Sequence, residues 1–210
     1  MYKLVVIGLC AAALIGCGNE AVLVPVAAGS WLNFDRRPAK TIIDDQTLTL
    51  KANTALARNR PIWRDSHIST LSYNNSILLV GQTKNNAYKT EVEKIVQKIG
   101  GVGSIYNQIT IGCPVPLATR SNDSWITTQV KTRIMTNRNV GINRVKVITE
   151  DSVVYLMGAL TQDEEVTTIR IARCVPGVKK VVTVLERQEE VTGAPPPVPV
   201  PCPPCEVNKY

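Results

Sequence analysis

The chain has 210 residues, of which 44% are hydrophobic and 20% are charged, a composition typical of a globular protein with one or two small domains. Its 24 basic and 17 acidic residues give a formal charge of +7, which suits phospholipid, lipopolysaccharide or nucleic acid but selects none of them. The only histidine, His67, is predicted at the start of a strand. No Ser/His/Asp order, glycine-rich phosphate loop or metal-ligand cluster accompanies it, which excludes the common hydrolase and metalloenzyme motifs.

The N-terminus has the features of a secretory signal. Lys3 supplies a positive charge ahead of an apolar run that is too short to span a bilayer but suits the hydrophobic region of a signal. The run ends in LIGC at residues 14–17, which resembles a bacterial lipobox, where signal peptidase II cuts before a cysteine that receives acyl chains such as palmitate. The alternative is an ordinary signal peptide that happens to contain a cysteine.

The lipobox predicts how the chain is anchored. Cleavage would remove a signal peptide over residues 1–16 and leave a lipidated Cys17 at the start of a linker over 17–40. Gly18, in place of an aspartate, favours the outer membrane by the sorting rule for Gram-negative lipoproteins, so we expect the protein to face the periplasm. Export also argues against nucleic acid as a partner. Several acyl chains would hold the protein durably on the membrane.

Between residues 40 and 190 the sequence repeats one pattern of predicted elements. A helix is predicted over residues 44–56 and again over 122–134, because apolar side chains recur every four positions with a constant offset of 78 residues. These side chains are Leu48, Ala52 and Leu56 in the first copy and Ile126, Val130 and Ile134 in the second. Each segment opens on acidic or small polar residues that are predicted to cap the helix, Asp44 and Asp45 in the first copy.

A strand pair, a second helix and a last strand follow in each copy. Turns are predicted between the paired strands at Asn74-Asn75 and at Glu150-Asp151. Each strand pair ends in a glycine that is expected to be structural, Gly81 or Gly158. The second helices are predicted over 86–101 and 162–177 and close on glycine, and acidic residues 163–165 suit the start of the later helix. The last strands are predicted over 102–111 and 178–187.

This order of elements, twice over and behind a lipobox, resembles the BON-domain proteins. The second copy carries the closest likeness, in the stretches SNDSWITT, VKVITEDSVVYLMG and VPGVKKVVT. The resemblance implies an α+β fold of two tandem α-β-β-α-β domains, over 41–112 and 122–188, each a small three-stranded mixed sheet packed by two helices. A linker would cover 113–121. The proline-rich tail over 189–210 departs from the family pattern.

One aromatic residue in the second copy lies off the apolar stripe of its helix. On a helical wheel, Trp125 and Met135 fall opposite the stripe and Lys131 flanks them, a face that suits the bilayer interface. The family's phospholipid binding is attributed to this helix, and the resemblance carries that role to Trp125, Val130, Lys131, Met135 and Arg138. The wheel itself places Val130 in the core. Packing of Trp125 against the first domain or a neighbouring loop is the alternative for that side chain.

The resemblance therefore predicts an outer-membrane lipoprotein without catalysis or cofactor. Its expected ligands are anionic phospholipids, phosphatidylglycerol or cardiolipin, and its expected role is support of envelope integrity, including at cell-division sites. The alternative is a periplasmic adaptor that binds an envelope protein through the same helix face or through the sheet edge of the first domain.

The remaining cysteines and basic pairs carry weaker predictions. Cys202 and Cys205 lie in the proline-rich tail, where a local disulfide or a flexible tether is favoured over redox catalysis and where two thiols are too few for a zinc site. Cys113 and Cys174 are candidates for a disulfide between the linker and the second domain. The pairs Arg36-Arg37 and Lys179-Lys180 are interpreted as solvated surface.

Overall fold

A computed structural model describes residues 37–137 and 140–187, which all belong to one compact unit. The first repeat contains α1 (Ala39–Arg58), α2 (Arg60–Asp65), β1 (Ser66–Tyr73), β2 (Ser76–Thr83), α3 (Asn86–Gln97) and β3 (Ile105–Ile111). The second repeat contains α4 (Leu117–Thr136), a 3-10 turn (Ile142–Arg144), β4 (Val145–Glu150), β5 (Val153–Leu160), α5 (Gln162–Arg173) and β6 (Lys180–Arg187). Apart from α2 and the 3-10 turn, the two repeats have the same order of elements.

Each repeat forms its own three-stranded mixed sheet. In the first sheet the strand order is β1-β2-β3, with β1 antiparallel and β3 parallel to the central strand β2. In the second sheet β4 is antiparallel and β6 parallel to the central strand β5. The parallel partner is reached through a crossover helix, α3 or α5, as parallel pairing requires. The predicted fold class is therefore confirmed.

The first helix of each repeat begins earlier than the sequence pattern predicted. Both α1 and α4 begin five residues upstream, after Pro38 and Pro116, so residues 117–121 of the predicted linker are helical. Asp45 and Asp123 consequently lie in the second helical turn, not at the cap, and both are buried. The prediction that Asp44 and Asp45 cap α1 is wrong, because the helix begins at Ala39 and both residues lie beyond its first turn.

The two buried aspartates hold the hairpin turns. The carboxylate of Asp45 accepts backbone hydrogen bonds from Asn74 and Asn75 at 2.9 and 3.0 Å. Asp123 accepts the equivalent bonds from Asp151 and Ser152 at 2.9 and 2.8 Å. All four turn residues have positive φ, between 48° and 63°, as a two-residue type I′ hairpin requires. The second turn is thus one residue later than predicted, and Glu150 is the last residue of β4.

Arg37, which the sequence placed on the solvated surface, is also part of this arrangement. Its guanidinium pairs with the carboxylate of Asp45 at 2.6 Å and stacks over the ring of Tyr73 at 3.9 Å. A fully buried carboxylate needs such a partner, which the pattern of charges along the chain does not identify. Lys179, in the other basic pair, is exposed and reaches Asp151 at 3.3 Å.

Three apolar clusters hold the molecule together. One lies under α1 and α3 and one under α4 and α5, so that each repeat has a core of its own. The third joins the two sheets, and its buried members come from both repeats: Tyr73, Leu78 and Val80 from the first and Tyr155 and Met157 from the second. The sheet faces that the helices leave uncovered are therefore buried against each other, as in two-layer packing.

The two glycines of the central strands lie against backbone atoms of the neighbouring strand. A Cβ added at Gly81, where φ is +126°, would lie 2.0 Å from the carbonyl oxygen of His67. At Gly158 it would lie 2.1 Å from the carbonyl oxygen of Arg144. Both strands continue beyond these glycines, so the glycines allow a close approach of two backbones and do not end the strands.

The start of α5 has the acidic residues that the sequence predicted there. The predicted disulfide between Cys113 and Cys174 is not formed. Thr161 and Glu164 form a reciprocal capping box, and the first turn contains Asp163, Glu164 and Glu165. Cys113 follows β3 and Cys174 follows α5, and they are not joined by a disulfide.

Candidate functional site

The outer face of α4, defined by Trp125, Thr128, Thr132 and Met135, is exposed to solvent. Trp125 and Met135 retain 49% and 58% of their accessible surface, whereas Ile126, Val130 and Ile134 on the opposite side are fully buried against the sheet. The structure therefore presents an indole and a thioether on one exposed helix face. The equivalent position on α1 is occupied by Thr47, which is also exposed, so α1 has no aromatic ring at this place.

Val130 does not belong to this exposed face. It is completely buried in the core of the second repeat, together with Val147, Val154 and Leu156. The role that the family resemblance carried to Val130 is therefore wrong for direct contact with a ligand, because its side chain packs beneath the helix. The helical wheel had placed it there, and the structure agrees with the wheel.

Lys131 stands at the border between the outer face and a cavity between the two repeats. The cavity has a volume of about 490 Å³ and its wall includes Arg120, Ser124, Thr127 and Lys131 from α4. Although the Lys131 side chain keeps contact with solvent, the surrounding protein atoms desolvate the ammonium group and lower its pKa. The carboxylates of Asp123 and Glu150 line the same cavity.

The opposite wall of the cavity carries a polar contact between the repeats that sequence reasoning missed. Glu150, at the end of β4, is buried and accepts a hydrogen bond from the hydroxyl of Ser69 at 2.7 Å. The same carboxylate oxygen lies 3.4 Å from Nε2 of His67. The single histidine thus faces the second repeat. Nothing in the sequence pairs positions 67 and 150, since sheet-to-sheet packing alone brings them together.

Trp63 is a second exposed aromatic residue that the sequence pattern did not single out. It lies in α2 and keeps 63% of its surface exposed. The sequence feature that could have indicated Trp63 is its position between two arginines in RPIWRD, directly after the asparagine that ends α1.

Several predicted residues lie outside the described part of the chain. These are Arg138, the lipidation candidate Cys17, and the tail cysteines Cys202 and Cys205. Within the described residues, no helix has both the length and the apolar character needed to cross a membrane.

Comparison with known families agrees with the duplicated fold. The model of the BON domain matches residues 44–113 and again 122–189, about two thirds of the chain. The chain therefore belongs to the BON-domain family, as a protein with two tandem copies.

Among characterised relatives, the outer membrane lipoprotein DolP of Haemophilus influenzae is 36% identical over 177 residues, which cover 84% of this chain and 88% of DolP. The 21 kDa hemolysin of Actinobacillus pleuropneumoniae is 33% identical over 151 residues, covering 72% of this chain and 78% of that protein. Osmotically-inducible protein Y of Escherichia coli is 25% identical over 166 residues, covering 78% and 82%. The predicted resemblance to the BON-domain proteins is thus confirmed.

Proposed function

We propose that this protein is a lipid-anchored, non-catalytic protein of the outer membrane that faces the periplasm and binds anionic phospholipid through the outer face of α4. The observation that carries the proposal is the exposure of Trp125 and Met135 beside Lys131, whose pKa is lowered by desolvation. The similarity to the outer membrane lipoprotein DolP supports the location, and the predicted lipidation of Cys17 supplies the anchor.

The chemistry of this face suits the interface of a bilayer. An indole ring is sheltered among lipid headgroups while its N–H stays hydrated, and a flexible thioether adapts to an irregular apolar surface. A cation next to anionic headgroups contributes about 1 kcal/mol. An anionic phosphate would also raise the pKa of Lys131 towards its ordinary value, so binding and protonation of this side chain favour each other.

The affinity of a single helix face is low, and the acyl anchor determines how long the protein stays on the membrane. Each buried methylene of a covalently attached acyl chain contributes about 0.8 kcal/mol. Summed over the acyl chains, this contribution exceeds what one indole and one lysine supply. Anchoring raises the effective concentration of the folded domains at the surface, so a weak preference for one headgroup becomes a sorting signal. We therefore propose that phosphatidylglycerol or cardiolipin directs the protein to particular regions of the envelope, including division sites, where it supports envelope integrity.

A vesicle-binding assay on residues 18–210, which lack the acylated cysteine, tests the proposal. Trp125→Glu should abolish saturable, salt-sensitive co-sedimentation with phosphatidylglycerol vesicles. Thr47→Glu is the matched control, because it places the same charge at the equivalent exposed position of α1, and it should bind like the wild type. Circular dichroism establishes that both variants are folded.

Unchanged binding by a folded Trp125→Glu variant would exclude α4 as the lipid-binding element. Retrieval of an envelope protein through the same face, without any binding to vesicles, would favour the adaptor function.

A further inference from the structure

The short helix α2 exposes the largest side chain of the first repeat. Of its six residues only Ile62 is buried, with 2% of its surface accessible, and this side chain fixes the helix to the core. Trp63 follows directly and therefore points away from the core, with 63% of its surface exposed, more than Trp125. Because the helix is short and held by one residue, the exposure of the indole is a consequence of the packing of its neighbour.

The surroundings of Trp63 are cationic. On one side the indole, Arg60 and Arg64 line a cavity of about 540 Å³. On the other side it shares a cavity of about 440 Å³ with Arg64, His67 and Arg120. Asp65 is the nearest carboxylate in sequence, and it is already engaged by Lys84 at 2.8 Å and by Arg64 at 3.3 Å. Arg60 is left exposed beside the ring, with no ion pair found for it in the described part of the chain.

This surface adjoins the one proposed to bind lipid. His67 and Arg120 line the cavity beside Trp63 and also line the cavity that contains Lys131. The two cavities therefore meet at the junction of the repeats, and Arg120 belongs to α4 itself. Basic side chains continue from α2 of the first repeat to α4 of the second.

We propose that Trp63, together with Arg60 and Arg64, forms a second contact with the anionic phospholipid surface, separate from the contact made by α4. The inference rests on the proposed function, since it assigns the first repeat to the same ligand. The cations beside the ring match a surface of phosphate headgroups, and an indole among arginines is the combination that the bilayer interface accommodates. The two repeats are packed together through their sheets, so engagement of one contact holds the other close to the same membrane.

The test uses residues 18–210 and vesicles of phosphatidylglycerol, with phosphatidylcholine vesicles as the uncharged reference. Trp63→Glu should lower the affinity for phosphatidylglycerol about tenfold, because it removes the ring and places a negative charge at an anionic surface. Trp63→Phe should stay within about twofold of the wild type, since the ring is retained. Thr90→Glu, on the exposed surface of α3, is the charge-matched control and should bind normally.

A second measurement observes the indole directly. In a variant that carries Trp31→Phe and Trp125→Phe, Trp63 is the only tryptophan, and brominated phosphatidylglycerol should quench its fluorescence. Absence of quenching, together with normal binding by Trp63→Glu, would overturn the inference.

Comparison with Trp125→Glu separates this inference from the proposed function. If Trp125→Glu loses binding and Trp63→Glu does not, the lipid-binding role of α4 stands and the second contact is wrong. If Trp63→Glu loses binding and Trp125→Glu does not, the contact at Trp63 stands and the role of α4 fails. If Trp63→Glu loses a protein partner while vesicle binding and quenching remain absent, the surface serves a protein and the inference is overturned.

Discussion

The two repeats share a backbone and differ in what they expose. Both place an aspartate of the first helix under a type I′ turn, and both bring a glycine of the central strand against a neighbouring backbone. The second repeat exposes a tryptophan on its long first helix, whereas the first repeat exposes one on the short extra helix α2. Features that recur in both copies maintain the fold, and features found in one copy are the candidates for binding.

The largest expected effect comes from the glycines that recur. Gly81→Ala and Gly158→Ala should each destabilise the protein by about 3 kcal/mol or more, because a Cβ would lie 2.0 or 2.1 Å from a backbone carbonyl oxygen, that of His67 in β1 or of Arg144 directly before β4. Chemical denaturation measures the loss. If either variant kept wild-type stability, the close approach would not constrain that strand and the two repeats would not be equivalent there.

The buried aspartates should give the next largest effect. Asp45→Ala and Asp123→Ala each remove two hydrogen bonds from turn amides, which we expect to cost about 3 kcal/mol. The loss should be greater at Asp45, because that change also leaves the guanidinium of Arg37 without its partner carboxylate. Equal losses measured by thermal unfolding would show that the arginine adds nothing.

The contact between the repeats should give a smaller effect. Ser69 donates a hydrogen bond to the buried carboxylate of Glu150, so a double-mutant cycle of Ser69→Ala and Glu150→Ala should reveal a coupling of about 1.5 kcal/mol. The cycle is measured on the unfolding free energy of the whole chain. Additive effects would mean that this hydrogen bond does not couple the two repeats.

The smallest effect concerns the pH dependence of lipid binding. Lys131 has a lowered pKa in the folded protein, so raising the pH through that value removes a cation from the outer face of α4 and should weaken binding to phosphatidylglycerol about fivefold. Lys131→Arg stays charged and should bind equally on both sides of this range. A decline with the same pH dependence in both proteins would assign the titration to another group.

Deprotonation of Lys131, which should weaken lipid binding, should have the opposite effect on the stability of the fold. The unfolded chain holds the Lys131 proton more tightly than the folded chain, because desolvation acts only in the folded state. The free energy of unfolding should therefore rise as the pH increases from the lowered pKa to the ordinary lysine value. This gain should be absent in Lys131→Arg.

The parts of the fold that were predictable are those set by local periodicity. Helical spacing identified Ile126, Val130 and Ile134 as a buried stripe and Trp125 as an outward side chain, and the repeat at a fixed offset identified the second copy of every element. The starts of the helices were harder to predict from the sequence. The aspartates that were interpreted as caps are buried, and their carboxylates accept hydrogen bonds from a turn some 28 residues further along the chain. A polar residue near a helix start has the same local appearance in either role.

The sequence by itself determined the two-copy α+β architecture, the hairpin positions to within one residue, and the outward direction of Trp125, since each depends on neighbours a few positions away. Only the tertiary structure decided that His67 faces Glu150 at 3.4 Å and that Lys131 and Trp63 line cavities sharing two residues. These features arise where the open faces of two sheets are buried against each other, and that contact joins residues about 80 positions apart in the chain.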